Sequence, residues 1–266
     1  MAQRRRTRQV RRILNCVPSQ NTKNDWRVYN ATDSGLLAAP AAIPDKTDLR
    51  AAWWKIGDQR STGSCVGWAS ADSVLRWHFV KVGRLNQNDR LSVRFQWMAS
   101  KETDEFITRP TTFIEAEGTS LKAALAVARR FGAVREEVLP FGSATLYQED
   151  EATFYALAGQ LRISAYFNLG DDLRDWRAWL AANGPILTRL DVDRTWDEAT
   201  DTEGKLDVYQ PDTARGGHAV ALVGYTPDRF IVRNSWGTDW GDKGFAYASL
   251  EYASSAFTEA YGVTIA

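Results

Sequence analysis

Apolar residues follow two different patterns along this chain, and the pattern changes near its middle. In the first half they recur every three to four residues, the spacing that predicts amphipathic helices. One such helix begins near Ser64 or Cys65. Its predicted buried stripe is formed by Val66, Ala69, Ser73, Val74 and Trp77.

Two further helices are marked by their ends. Thr119 or Ser120 would cap a helix whose apolar face is formed by Leu121, Ala124, Leu125 and Ala128, and Gly132 would end it. Another helix covers about 171–182 and stops at the Asn-Gly-Pro sequence of residues 183–185.

The second half of the chain is typical of strands. Glycine, proline and aspartate separate five apolar runs, which read PILTRLDV, HAVALVGY, RFIVRN, GFAYASL and AYGVTI. Helices therefore precede strands, which predicts an α+β fold with two lobes. We place the helical lobe at about 50–158 and the strand lobe at about 159–266.

Composition is that of an ordinary folded domain. The 266 residues are enough for one large domain or two lobes, and 44% hydrophobic with 25% charged residues is typical of globular proteins. Because 33 basic residues balance 33 acidic ones, no overall charge indicates a nucleic-acid or membrane partner. Eleven tryptophans suit a core and cleft lined by large rings.

Residues 1–42 are expected to be an extension outside the catalytic domain, which would cover 43–266. The extension is basic from Arg4 to Arg12 and polar thereafter, and we interpret it as a solvated tail or a short pro-segment. No apolar run of signal-peptide or membrane-spanning length follows it. Two cysteines allow at most one disulfide, so free thiols and a cytoplasmic location are expected.

The chemistry depends on whether Cys65 is a nucleophile or a small buried apolar residue. A cysteine nucleophile needs a base that makes the thiolate. His78 follows on the same predicted helix, about 20 Å away at the helical rise, and is therefore expected to be structural. His218 is the other histidine of the sequence and the remaining candidate base.

His218 has a candidate orienting group on the neighbouring strand. If the chain reverses near Thr226, His218 and Asn234 lie opposite each other, and a slightly later turn offsets them by one pair. In either register the Asn234 amide could fix the imidazole tautomer, and Trp236 could shield that hydrogen bond from water. Taken alone, this segment would equally suit a glycine-rich turn with core tryptophans.

Gln59 lies six residues before Cys65 and is a candidate oxyanion donor. Its amide could join the Cys65 backbone N–H, and a helix N-terminus favours negative charge at the sulfur. A glutamine by itself is more often a surface residue.

Three segments together resemble the signature blocks of papain-like cysteine peptidases. They read DQRSTGSCVGWAS, GGHAVALVGY and VRNSWGTDWGDKGF, and they occur in that family's order. IPDKTDLR resembles the start of the mature enzyme, and EGTSLKAALAVARRFGAVREEVLPF resembles the segment lining the non-primed cleft. The resemblance covers about residues 43–266.

The resemblance implies a helical lobe and an antiparallel, β-barrel-like lobe with the active-site cleft between them. It assigns Cys65 as nucleophile, His218 as base and then acid, Asn234 as orienting group and Gln59 as oxyanion donor. It also implies a resting thiolate–imidazolium pair. The residues implied to contact an extended substrate are Gly63, Gly118, Thr119, Arg189, Gly217 and Trp236.

Four positions depart from the family pattern. Thr62 replaces a usual cysteine, Val66 a usual aromatic residue, and Thr119 the second glycine of a pair. Arg189 stands near a usually apolar pocket position. It would either face the pocket and favour an acidic substrate residue, or be a solvated charge on a strand.

The function expected is peptide-bond hydrolysis through a thioester acyl-enzyme, by a monomer acting on a peptide or protein. The same triad would also serve a peptide ligase or transpeptidase, and an idle papain-like fold could act by binding alone. We expect no cofactor and no metal, because the two cysteines and two histidines lack ligand spacing. Cys16 is either an inert residue or a latch that pairs with or blocks Cys65.

Overall fold

Residues 65–81 form one continuous helical run that carries Cys65 in its first turn. The computed structural model describes residues 12–35, 37–38, 42–103, 118–142 and 150–265. The run comprises α2 (Cys65–Gly67), a π-helical stretch (Trp68–Leu75) and α3 (Arg76–Lys81). Its predicted stripe is buried except for the half-buried Trp77, which confirms the predicted start and inward face.

Two longer helices pack beside this run. They are α4 (Val93–Thr103) and α5 (Leu121–Arg130), and α6 (Glu151–Gly159) follows. The Ser120 hydroxyl accepts the Ala123 N–H and caps α5, as predicted, and Gly132 follows it with a positive φ of 102°. Neither α4 nor α6 was predicted from the sequence.

The strands of the second half form one sheet, which the short strand β1 of the first half joins, and the predicted α+β class is confirmed. Its strands are β1 (Thr47–Asp48), β2 (Ala165–Asn168), β3 (Ile186–Asp191), β4 (Lys205–Leu206), β5 (Gly217–Tyr225), β6 (Arg229–Arg233), β7 (Phe245–Ser249) and β8 (Phe257–Thr264). The order is β2-β8-β3-β5-β6-β7-β4, with β1 also paired to β5. Within the described ranges the sheet stays open instead of closing into the expected barrel, and β4 runs parallel to β7.

Short helices connect and cover the strands. They are α1 (Val28–Asp33), α7 (Leu173–Ala182), α8 (Thr195–Glu198) and α9 (Leu250–Ala256), with single 3₁₀ turns at Thr22–Asn24 and Pro211–Thr213. The Asp172 carboxylate accepts the Arg174 N–H and caps α7, which is the helix predicted at about 171–182.

Strand β5 is buried on both faces, and its residues divide the core in two. Ala219, Ala221 and Val223 pack with the helical run, whereas Val220 and Leu222 pack with α7 and α9 residues on the other face. The small Ala219 and Ala221 side chains let the helix approach the strand closely. This contact places the N-terminus of the Cys65 helix beside the start of β5.

A buried ion-pair cluster also joins the helical run to the sheet. Asp72 accepts hydrogen bonds from Arg76 at 3.2 Å and from Arg233 at 3.0 Å, and all three side chains are almost fully buried. Burial lowers the pKa of Arg76 and of Arg233. Since Arg233 directly precedes Asn234, the cluster fixes the end of β6 against the Cys65 helix.

The described part of the N-terminal extension packs on the domain, which corrects the solvated tail expected there. Cys16 and Ala31 are buried, and the Asn168 N–H donates to the Trp26 carbonyl at 2.9 Å. Of the basic cluster Arg4–Arg12, only Arg12 lies within the described residues. We call residues 12–25 the strap. No helix of the described residues has the length and apolar character needed to cross a bilayer.

Candidate active site

Cys65 lies at the start of the helical run with no exposed surface. Ser64 precedes it as the N-cap residue, and Gly63 is buried in the turn before it. Cys65 is the first residue of α2, and the first N–H groups of a helix have no acceptor within the helix. The first turn of the helix therefore carries both the Cys65 sulfur and the Cys65 backbone N–H.

The ring of His218, the second residue of β5, lies against Cys65. Its Nε2 pairs with Asn234 Oδ1 at 2.8 Å, and this amide oxygen also accepts the Ser235 N–H at 2.8 Å. Nδ1 is buried and has no hydrogen-bond partner among the described residues, and the ring lies near enough to the Cys65 sulfur to lower the pKa of that thiol. The structure thus brings Cys65, His218 and Asn234 together.

The strand register behind this contact is shifted from the direct opposition that an early turn predicts. Ala221 pairs with Arg233, and the register changes between Leu222 and Gly224. Val220 therefore stands across from Asn234, so His218 is offset from Asn234 by two residues along β5, where a later turn predicts an offset of one pair. The Asn234 side chain spans this offset.

Two tryptophans contact the imidazole, and a third packs on both of them. The Trp236 ring lies 5.0 Å from the His218 ring, and Trp196 meets it edge-on at 5.5 Å. Trp240 stacks on Trp196 at 4.9 Å, and its Nε1 donates to the Trp196 carbonyl at 2.9 Å. Trp236 was predicted to shield the His218–Asn234 bond, whereas Trp196 was missed because nothing in its local sequence links it to His218.

Gln59 is fully buried, and its amide orientation is fixed on both ends. The Ser235 hydroxyl donates to Oε1 at 3.0 Å, and Nε2 donates to the Thr62 carbonyl at 3.1 Å. The Gln59 N–H also donates to the Ser235 carbonyl at 2.8 Å. Ser235 therefore sets which end of the amide is the donor, a contact that sequence reasoning missed.

The surroundings of Cys65 favour its thiolate. The contact with the Cys16 thiol lowers the pKa of Cys65 well below its ordinary value, against burial, which raises it. The His218 ring and the Ala219 backbone N–H lower this pKa further. Burial raises the pKa of Cys16 well above its ordinary value, and Cys65 raises it further.

His78 lies outside this group, as predicted. It is buried in α3 with its ring edge-on to Trp77 at 5.1 Å. Burial lowers the pKa of His78 to about 4, so the ring is neutral near pH 7.

The strap crosses the cleft above Cys65. The Cys16 N–H donates to the Gly217 carbonyl at 3.0 Å, and the Val17 N–H donates to the Thr119 carbonyl at 3.2 Å. The Arg189 Nε donates to the Cys16 carbonyl at 3.0 Å.

Close approach of the strap requires glycine in the cleft walls. A Cβ on Gly118 would lie 1.9 Å from the Asn15 carbonyl oxygen, and one on Gly217 would lie 2.1 Å from that of Cys16. Both distances are far inside contact range, so any side chain here would displace the backbone that now lies beside it.

Arg189 is buried, which excludes the alternative of a solvated strand charge. Besides the Cys16 carbonyl, it donates to the Thr258 hydroxyl at 2.7 Å and to Asp191 at 2.9 Å. Asp191 therefore offsets its charge.

Both ends of the strap are anchored. Arg12 pairs with Asp58 at 2.5 Å and donates to the Arg60 and Trp236 carbonyls at 2.9 Å each. At the other end, Lys122 pairs with Asp25 at 2.5 Å.

The described residues contain no cluster of three or more histidine, cysteine, aspartate or glutamate side chains able to hold a metal ion. The chemistry available at this site is that of a thiolate, an imidazole and amide donors.

Comparison with known proteins identifies the family. The family described as "Papain family cysteine protease" matches residues 43–261. The chain therefore belongs to the papain family of cysteine proteases.

Individual relatives are distant. A cathepsin L-like proteinase of Fasciola hepatica is 25% identical over 215 residues, covering 77% of this chain and 60% of the relative. Peptidase 1 of Psoroptes ovis is 26% identical over 214 residues with the same coverages. The chain thus spans about three fifths of the length of these curated relatives.

Solved structures agree on the fold. Xylellain, a cysteine protease from Xylella fastidiosa, superposes with a TM-score of 0.77 at 20% identity and 98% coverage of both chains. A procathepsin B from Trypanosoma congolense gives 0.66 at 19% identity, covering 94% of this chain and 86% of its own. At these identities the likeness establishes the papain-like fold alone.

Proposed function

We propose that this protein is a peptidase that hydrolyses peptide bonds through a thioester on Cys65. The observation that carries the proposal is the buried contact of the Cys65 sulfur with His218, whose other ring nitrogen is held by Asn234 at 2.8 Å. A nucleophile, a base and an orienting group are thus assembled, and membership of the papain family supports this assignment.

In the proposed first step, the Cys65 thiolate attacks the substrate carbonyl carbon. Negative charge then develops on the carbonyl oxygen, and the Gln59 Nε2 and the Cys65 backbone N–H donate to it. Donors that are already oriented stabilise such a charge without reorganisation, and Ser235 provides this orientation for Gln59. The C–N bond breaks as the His218 Nδ1–H protonates the leaving amine.

The second step removes the acyl group. His218, now neutral, takes a proton from water, and the resulting hydroxide attacks the thioester carbonyl. Cys65 leaves as the thiolate, and the carboxylic acid product is released. Asn234 keeps Nε2 protonated throughout, so Nδ1 is the nitrogen that exchanges protons.

We propose an extended peptide as the substrate. The support is that the Gly217 and Thr119 carbonyls already accept backbone N–H groups of the strap, in the manner of an added strand. Arg189 would donate to a substrate carbonyl as it does to Cys16. Because Asp191 offsets its charge, we expect Arg189 to hold peptide backbone and not to select acidic side chains.

The test is hydrolysis of a peptide library by the full chain under thiol reductant. Cys65→Ala is expected to abolish turnover, because it removes the nucleophile. Cys16→Ala is expected to retain turnover with its pH dependence moved to higher pH, because the Cys16 contact lowers the pKa of Cys65. A peptide epoxide should label Cys65 and not Cys16. Arg189→Ala should slow cleavage of all sequences without changing their ranking.

Two outcomes would overturn the proposal. One is hydrolysis by Cys65→Ala equal to that of the unmodified chain, and the other is failure of the epoxide to label Cys65. An added amine acceptor in the same assay distinguishes a hydrolase, which releases the acid, from a ligase, which releases the amide.

We also propose that the protein works in a reducing compartment such as the cytoplasm. Support comes from the two cysteines, both of which are free thiols. Fractionation of source cells with detection of the protein tests this, and recovery in the secreted fraction would contradict it.

A further inference from the structure

The two cysteines of the chain meet inside the cleft. The sequence contains no others, and 48 intervening residues place them far apart in the unfolded chain. In the fold both are buried in the same apolar cluster, and each cysteine shifts the pKa of the other. The proposed reaction uses Cys65 alone and gives Cys16 no role.

The strap fixes Cys16 at this position from both sides. The Cys16 N–H donates to the Gly217 carbonyl at 3.0 Å, and the Cys16 carbonyl accepts from the Arg189 Nε at 3.0 Å. The N–H of the next residue, Val17, donates to the Thr119 carbonyl. These three hydrogen bonds hold the Cys16 backbone, and the buried Cys16 thiol donates to the Val17 carbonyl at 3.9 Å. The strap thus holds Cys16 within the buried cluster that also contains Cys65.

The two sulfurs are chemically unequal. The pKa of Cys65 is lowered through its contacts with the Cys16 thiol and His218, while burial raises the pKa of Cys16. The thiolate is the reactive form of cysteine, so Cys65 is the sulfur that an oxidant meets first. Cys16 is placed as a resolving thiol beside it.

We propose that Cys16 and Cys65 are a modification site, at which a peroxide converts them to a reversible disulfide that fastens the strap across the cleft. This inference rests on the proposed function only for its effect on activity; formation of the bond itself requires no catalysis of peptide hydrolysis.

The disulfide forms in two steps. The Cys65 thiolate attacks one oxygen of hydrogen peroxide, the O–O bond breaks, and hydroxide leaves, so that Cys65 becomes a sulfenic acid. The Cys16 sulfur then attacks the Cys65 sulfur, and the S–O bond breaks. The departing oxygen takes the Cys16 proton, and the second product is water. Two thiols are oxidised and one peroxide is reduced.

A small dithiol reverses the modification. Its thiolate attacks the disulfide, forms a mixed disulfide and then closes on itself, which returns both protein thiols. The bond would also protect Cys65, because a sulfenic acid without a neighbouring thiol is oxidised further to sulfinic acid, which thiols do not reduce.

The first experiment counts thiols and measures mass in the full chain, with no assay of activity. After limited hydrogen peroxide, the unmodified chain is expected to lose both titratable thiols and two hydrogen atoms of mass. A non-reducing digest should yield one cross-linked peptide pair containing Cys16 and Cys65. Cys16→Ser, which preserves side-chain size, should instead gain oxygen at Cys65.

The second experiment follows peptide hydrolysis after the same treatment. The unmodified chain should lose turnover and regain most of it with dithiothreitol, whereas Cys16→Ser should stay inactive. Cys65→Ser should keep Cys16 as a reduced thiol under the same peroxide.

The two proposals fail in distinguishable ways. If the cross-linked peptide forms but the reduced chain cleaves nothing, the disulfide stands and the peptidase does not. If the reduced chain cleaves peptides but Cys65 of the unmodified chain gains oxygen without cross-linking, the disulfide proposal is overturned. The disulfide proposal is also overturned if dithiothreitol restores the turnover of peroxide-treated Cys16→Ser as fully as that of the unmodified chain.

Discussion

His78 shows how burial alone determines the charge of a side chain in this fold. Its Nε2 has no partner among the described residues, and no carboxylate contributes to the pKa of about 4 that burial imposes. The neutral ring is therefore tolerated in the core and the protonated ring is not.

This produces a pH-dependent stability. Below the ordinary pKa of 6.5 the unfolded chain binds a proton at His78 that the folded chain refuses until about pH 4. The free energy of unfolding should thus fall as pH drops from 6.5 to 4, by about 3 kcal/mol in all from this residue.

Urea unfolding at pH 7 and pH 4.5 measures the effect. The comparison is with His78→Gln, which removes the imidazole and keeps every carboxylate. The carboxylates therefore titrate in both the variant and the unmodified chain, and their contribution cancels. The variant should lose less free energy of unfolding between the two pH values. An identical loss in both proteins would contradict the assignment.

At this scale the sequence predicted candidate site residues that the structure brings close together, but not the residues that contact and orient them. Cys65, His218, Asn234 and Gln59 were found because their types and order suit one reaction. Ser235 and Trp196 were not, because each acts through a contact made only in the fold. A serine or tryptophan has many structural uses, so its type alone predicts none of them.

At the scale of elements, the sequence pattern predicted those helices and strands that a capping residue or an apolar run marks locally. The helix capped by Ser120 and the five apolar strands of the second half were found in this way. The register change between Leu222 and Gly224 was not, because an extra residue in a wholly apolar strand leaves no mark in the pattern. The π-helical stretch was equally invisible, since its stripe still fits a helix.

The buried cluster around Asp72 gives a prediction for the joint between the helical run and β6. Asp72→Asn removes the charge that compensates Arg76 and Arg233, and we expect a loss of about 3–5 kcal/mol in the free energy of unfolding. Turnover should fall as well, because Arg233 positions the neighbouring Asn234.

The matched control is Asp197→Asn, the same chemical change in an exposed pair with Arg215. It should cost less than about 1 kcal/mol. Equal denaturation midpoints for Asp72→Asn and the control would show that the cluster does not stabilise the joint.

At the scale of the whole molecule, the N-terminal strap was the feature least accessible to pattern reasoning. It has no periodicity, and its order comes from backbone hydrogen bonds and the long-range pairs of Arg12 and Lys122. Composition alone therefore indicated a solvated tail. The sequence leaves Cys16 either inert or paired with Cys65, and only the fold brings the two into one buried cluster.

Arg12 gives a test of whether the strap restricts access. Arg12→Ala removes a charged pair, two hydrogen bonds to carbonyls and a contact with the Trp236 ring. Charged hydrogen bonds contribute about 1.5–3 kcal/mol, so the reduced full chain should hydrolyse peptides roughly tenfold faster or more.

Arg215→Ala is the matched control, because it breaks an exposed pair with Asp197, a residue outside the strap. It should leave the rate unchanged. A rate for Arg12→Ala no higher than that of the control would mean that the anchored end of the strap does not limit substrate entry.

Covalent continuity between the strap and the domain has one more consequence. The segment that covers Cys65 is tethered, so its local concentration at the cleft is set by the length of the connection and not by how much protein a solution holds. Diluting the preparation will not uncover the cleft. A synthetic peptide copy of residues 12–25 lacks this advantage and must be supplied at high concentration to compete.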